Sequence, residues 1–203
     1  MESKFNLTPL ALDVFEAIKQ AGGHVYLVGG CVRDFLLKRR SKDIDVEVHH
    51  LSFEALKEVL SPFGTVQVMG ASFAVVHLST LEGYEFALPR MEEKTGLKHQ
   101  DFNIIVDPDL PLEKACARRD FTINSMLYDV ETETVIDFYS GQEDLENGIL
   151  RATNKDHFSE DPLRVLRGAS FMSRYGFKMD EDTKNLCQSI VEEGGLETLS
   201  IER

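Results

Sequence analysis

The chain has 203 residues, 42% of them hydrophobic, which is enough for a sizeable core. Its formal net charge of -13 excludes a general nucleic-acid coat that grips phosphates through a basic surface, although one polynucleotide end is still manageable if bound cations supply positive charge. Cys31, Cys116 and Cys187 lie far apart with no C-x-x-C pair, and no apolar run reaches membrane-spanning length, which argues against a disulfide framework, a zinc knuckle and a membrane span. A soluble cytoplasmic protein is the expectation.

Thr8 followed by Pro9 starts a helix over about 9–21, with Leu12, Phe15 and Ile18 on one face and Gly22-Gly23 as the stop. "HVYLV" reads as a buried strand ending at Gly29-Gly30, "CVRDFLLK" as a short helix and "DIDVEV" as an alternating strand. "SFEALKEVL" is a helix opened by Ser52 and closed near Pro62 and Gly64. "TVQVM", "FAVVHLS" and "YEFALP" are short β-rich runs, and His49-His50 reads as an exposed strand end. "RMEEKTGLKHQDFNI" has no clean period and reads as a mobile or functional loop. "EKACARRDFTINSMLYDV" begins helical and ends as a strand, with "TVIDF" as its hairpin partner. From 159 onward β character disappears and two helical segments follow, "EDPLRVLRGASFMSRYGF" and "DEDTKNLCQSIVEEGG". The fold class is therefore α+β: a small mixed sheet flanked by helices over 1–150, then the start of an all-α region over 151–203. Met69, Met126 and Met172 read as core fillers.

In the strand "DIDVEV", side chains two apart share a face, so Asp43 and Asp45 point one way and repel unless a cation joins them. Hard carboxylate oxygens of this kind suit Mg²⁺, and a third acid on a neighbouring strand would complete a two-metal site for displacement at phosphorus. Glu85 is the candidate; otherwise it is an exposed strand glutamate. Gly29-Gly30 end a strand and open a helix, so backbone N–H groups can approach a phosphate, and Arg33 one turn on can add a bidentate contact. Asp34 either orients Arg33 or pairs with Lys38 four residues on, and the second reading is preferred. The glycine pair matches neither the P-loop nor the dinucleotide fingerprint.

Taken together, "LVGGCVRD" and "KDIDVEV" resemble the signature of the CCA-adding enzymes and bacterial poly(A) polymerases of the polymerase β superfamily. "RRDFTINSMLYD", "DFYSGQEDLENGILR" and "EDPLRVLRGASFMSRYGF" are similar to that family's later motifs, in the family's order. The resemblance implies a polymerase β-like nucleotidyltransferase head over 1–150 and the start of a helical neck over 151–203. It implies template-independent transfer of nucleotides from CTP and ATP to a tRNA 3′ end, with release of pyrophosphate. Asp43 and Asp45 would bind Mg²⁺, with Glu85 as the third acid; Gly30, Arg33 and Arg119 would hold the triphosphate. Asp120 and Asn124 fall in the motif used near the ribose, with helix capping as the alternative for each. Asp161, Arg164 and Arg167 would form the nucleotide-reading face.

Asp161 and Arg164 are three apart and share a face at a helix start. The carboxylate only accepts and the guanidinium only donates, which matches the amino donor and ring-nitrogen acceptor of cytosine and of adenine. Guanine and uracil reverse that order, and each mismatch costs on the order of 1 to 3 kcal/mol.

Ser170 stands where the family often has another arginine, so a phosphate contact is missing or replaced by a residue such as Arg90. The chain ends at "LETLSIER", where the family's last neck motif begins, so a body and tail are expected beyond it and tRNA should be held weakly without them. "VMGASFAVVHL" lacks the basic stretch typical of the poly(A) polymerases, which favours tRNA repair. The alternatives are a CC-adding or A-adding enzyme, a poly(A) polymerase, or, in a different class, a nucleotide-binding module without catalysis.

Overall fold

In the computed structural model, which describes residues 5–69, 74–94 and 102–199, the chain divides into two compact units. The first comprises Met1–Met91, Ile104–Ala115 and Leu127–Ile136; the second comprises Glu92–Asn103, Cys116–Met126 and Asp137–Arg203.

α1 (Pro9–Gln20) starts as expected. Thr8 Oγ1 accepts a hydrogen bond from Ala11 N at 3.2 Å, and Pro9 occupies a position whose N–H has no helical partner. After it come β1 (His24–Val28), α2 (Gly30–Leu36), β2 (Ile44–His49), α3 (Phe53–Leu60), β3 (Val66–Met69), β4 (Val75–Leu78) and β5 (Tyr84–Ala87). Next are β6 (Arg90–Lys94), β7 (Phe102–Val106), α4 (Leu112–Ala117), β8 (Leu127–Asp129) and β9 (Thr134–Ile136). Seven strands form one mixed sheet in the order β3-β4-β5-β2-β1-β8-β9. β2 and β5 are parallel, because α3 and the β3–β4 hairpin intervene as a crossover, and the other neighbours in that sheet are antiparallel.

One face of this sheet is apolar. Val46 pairs with Phe86 across β2 and β5, both are fully buried, and Phe15 of α1 meets the Phe86 ring edge-on at 6.4 Å between centroids. Strand alternation therefore turns Asp45 and Glu85 to the opposite face. The amino-terminal segment is pinned by Phe5, which stacks on Phe35 of α2 at 4.3 Å.

In the second unit α5 (Gly141–Asn147) is followed by β10 (Ile149–Leu150), α6 (Lys155–Phe158), α7 (Leu163–Tyr175), β11 (Lys178–Met179) and α8 (Glu181–Glu192). Phe121 anchors its core, meeting Phe158 and Phe171 each at 5.7 Å in edge geometry. Gly168 of α7 allows close packing here, since a Cβ would come within 2.8 Å of Met179 Cε and 3.3 Å of Phe121 Cζ. Asp137 organises the start of α5 by accepting from the backbone N–H of Tyr139, Gly141 and Gln142. Asp144 accepts from Thr122 Oγ1 at 2.8 Å and from Arg151, whose Nη1 also donates to Asp180.

Several expectations are corrected. The span 90–104 is expected as a loop, yet its two ends belong to β6 and β7, paired as a separate two-stranded sheet; residues 95–101 lie outside the described residues. β character continues past 159, because β11 pairs in parallel with β10. His49 is a buried residue, 2% exposed, with Nε2 at 3.1 Å from the buried Glu47, whereas His50 is exposed as expected. Of the three methionines only Met126 fills core; Met69 and Met172 are exposed. The three cysteines are free thiols, as the spacing predicts. Among the described residues no helix is long and apolar enough to cross a membrane.

Candidate active site

The first unit gathers the predicted acids and the glycine turn at one end of the sheet. β1 and β2 are antiparallel with Val28 opposite Asp45, so the turn that follows Val28 lies beside the residues that precede Asp45. Gly29 caps α2 at φ 71°, ψ -132°, a conformation that L side chains rarely adopt, and Gly30 is the first helical residue. Cys31 Sγ donates to the Val28 carbonyl at 3.1 Å and fastens the start of α2 to the end of β1.

Arg33 is 5% exposed, and its Nε and Nη2 both donate to Asp34 Oδ1, at 3.0 and 2.8 Å. Asp34 thus orients Arg33, which corrects the preferred pairing with Lys38. A neighbouring carboxylate satisfies a guanidinium more completely than a flexible ammonium one turn away satisfies a carboxylate. The guanidinium folds back over the turn, with Nη2 3.5 Å from where a Gly30 Cβ would stand.

Asp43 is exposed and lies one residue before β2; Asp45 is half-buried and pairs side by side with Glu85 of β5. Like charges so placed repel, and a divalent cation relieves the repulsion. The donor set is of the kind Mg²⁺ takes, though among the described residues no three His, Cys, Asp or Glu side chains are gathered closely enough to hold a metal ion.

Sequence reasoning missed Gly83, which positions Asp43. Its carbonyl accepts from Ile44 N at 2.7 Å, its φ is +82°, and a Cβ would lie 2.9 Å from the Lys42 carbonyl oxygen and 4.0 Å from Asp43 Oδ1. Gly83→Ala is therefore expected to lower stability by about 1–2 kcal/mol through backbone strain. Thermal melts of the variant beside the parent chain check this. The only sequence signal was a Gly in a turn before an alternating strand, which says nothing of what that turn touches.

The second unit holds the other predicted residues. Asp120 is 7% exposed; its Oδ1 accepts from Phe121 N at 2.8 Å and from Asn124 Nδ2 at 3.1 Å, and its Oδ2 accepts from Arg167 Nε at 2.7 Å. These are capping and bracing bonds: Asp120 ties a 3-10 turn (Thr122–Asn124) to α7 and aims Arg167, which stays half-exposed over the Phe171 ring. Asp161 Oδ1 accepts from Leu163 N at 3.0 Å at the start of α7. Arg164 is 9% exposed, donates to the carbonyls of His157 at 3.0 Å and Arg118 at 2.9 Å, and lies over the Phe158 ring. Arg119 is half-buried, with its backbone N–H on the Cys116 carbonyl at 3.1 Å.

The sequence profile of the poly A polymerase head domain matches residues 25–151. The chain belongs to the poly A polymerase head domain family. This head-domain chain is 46% identical over 184 residues to the multifunctional CCA protein of Acinetobacter baylyi, covering 88% of the chain and 42% of that protein. It is similar to a solved tRNA-processing enzyme with CTP, at 31% identity and a TM-score of 0.75, covering 92% of this chain and 48% of the other. It is likewise similar to the Thermotoga maritima CCA-adding enzyme complexed with tRNA, at 29% identity and a TM-score of 0.75, covering 97% of this chain and 45% of the other. The chain thus spans less than half the length of these relatives. The likeness agrees with the expected α+β fold of a mixed sheet flanked by helices.

Proposed function

We propose that this chain supplies the catalytic head and the start of the neck of a tRNA nucleotidyltransferase, dividing near residue 150, which adds CMP and AMP from CTP and ATP to a tRNA 3′ end. The observation that carries the reading is the register that sets Asp45 beside Glu85, with Asp43 just upstream and the Gly29-Gly30 turn alongside. The likeness to one enzyme with CTP and to another complexed with tRNA supports the substrate classes.

In this reading Asp43 and Asp45 hold Mg²⁺, and Glu85 is the third acid. Magnesium bound there would stabilise charge on the attacking and leaving oxygens. The backbone at Gly30 and the Arg33 side chain, both of the first unit, hold the triphosphate tail, and Arg33 is kept ready by Asp34; Arg119, of the second unit, is a further phosphate-binding candidate. The tRNA 3′-hydroxyl oxygen forms a bond to the α-phosphorus while the bond to the β-phosphate oxygen breaks, releasing pyrophosphate. Asp161 and Arg164 read the base from the start of α7; a guanidinium has five N–H donors, so the two carbonyls that Arg164 already holds do not exhaust it. Asp120 and Asn124 act by bracing Arg167.

The test is incubation of a protein carrying this chain with tRNA ending before, within or after the CC, supplied with single nucleotides. CMP should be added to ends lacking C and AMP to ends in CC, and these 203 residues alone should bind CTP and ATP but hold tRNA weakly. A long A tail on arbitrary RNA would overturn the tRNA reading.

A further inference from the structure

The row of side chains that begins at Asp45 continues past Glu85. β4 is antiparallel to β5 with His77 directly opposite Glu85, so Asp45, Glu85 and His77 stand side by side across three strands on the polar face of the sheet. His77 Nε2 is 3.1 Å from Glu85 Oε1, with the two side chains 35% and 51% exposed. An exposed cross-strand polar contact of this kind adds little to stability, about 0.2–1 kcal/mol. Its place matters more. Glu85 is the longest and most rotatable of the three acids, and an unrestrained glutamate loses side-chain entropy when it is ordered onto a cation. An imidazole on one carboxylate oxygen restrains that side chain beforehand and leaves the other oxygen for the ion, as outer partners of metal-binding carboxylates commonly do.

We propose that His77 is a positioning residue for this site: it orients the Glu85 carboxylate for divalent-cation binding without touching substrate. The inference rests on reading Asp43, Asp45 and Glu85 as the cation-binding acids. Mn²⁺ serves as the probe, its free ion counted by electron paramagnetic resonance during titration of the chain in the presence of CTP. His77→Ala should weaken Mn²⁺ binding by about 10-fold. His77→Phe, which keeps a ring but has no donor, should match it, whereas His77→Gln, whose amide can donate to Glu85, should recover most of the loss. In the Glu85→Gln background His77→Ala should add nothing. Transfer assays should find kcat lowered with KM for CTP unchanged.

Wild-type Mn²⁺ affinity in both His77→Ala and His77→Phe, or an undiminished His77→Ala effect without Glu85, would overturn the proposal. Asp45→Asn separates the two levels of the argument. If it binds Mn²⁺ as wild type does, the acid-site reading fails and His77 with it. If it loses Mn²⁺ while the His77 variants do not, only the role of His77 falls.

Discussion

Asp45→Asn is expected to lower nucleotide transfer by about 10³-fold while leaving the fold intact, since stabilisation of several kcal/mol at a two-metal site rests on charge that the amide lacks. The substitution keeps size and shape, and Asp45 is half-buried beside Glu85, so the backbone pairing of β2 with β5 should survive. Without divalent cations the variant should melt no lower than wild type, because one of three neighbouring like charges is gone. With Mg²⁺ the order should reverse, as wild type gains stability from binding and the variant does not. Single-turnover rates and paired melts with and without Mg²⁺ measure this. Transfer at the wild-type rate by both Asp43→Asn and Asp45→Asn would remove the two-metal assignment.

The second large effect concerns which base is chosen. Asp161→Asn should keep α7 in place, because an asparagine Oδ1 can accept from Leu163 N as the aspartate does. It also presents a donor where the aspartate presented only acceptors, so the preference for C and A over U and G should fall by about 10–100-fold. Misincorporation of UMP and GMP on tRNA lacking its terminal nucleotides is the readout, and an unchanged preference would move base reading elsewhere. Arg164 suits this test less well. Its guanidinium holds two backbone carbonyls and covers Phe158, so Arg164→Ala would expose or orphan these groups and destabilise the second unit by about 2–4 kcal/mol. Arg164→Lys retains charge but not the planar fork, and separates the two roles by the extent to which melting temperature and selectivity change together.

Most elements with a clear period were legible in the sequence. α1 and α3 declare themselves by a cap, Thr8 and Ser52, followed by spaced apolar residues. β1, β2 and β5 do so by buried or alternating runs. α5 was not legible as a helix: "GQEDLEN" has one large apolar side chain, and the segment is started by Asp137 from outside it. β6 and β7 were missed because their pairing is with each other, not with a core-facing period. The burial of His49 was missed because alternation puts Glu47 and His49 on one face of β2 but does not say that this face is covered there.

For the site the division is similar. The types and local spacing of the chemical groups follow from the sequence alone: two acids two apart at the start of a strand, a glycine pair before a helix, an Asp and an Arg three apart at a helix start. Those patterns are written in residues within one turn or one pleat of each other, where backbone geometry alone sets which face each occupies. Tertiary structure alone decided that Glu85 and then His77 line up with Asp45, that Gly83 bears on Asp43, and that Asp120 braces Arg167, 47 residues away. Register between strands and contact between helices are set by which distant apolar faces bury together, and a one-residue slip of β4 or β5 would turn His77 or Glu85 to the other face.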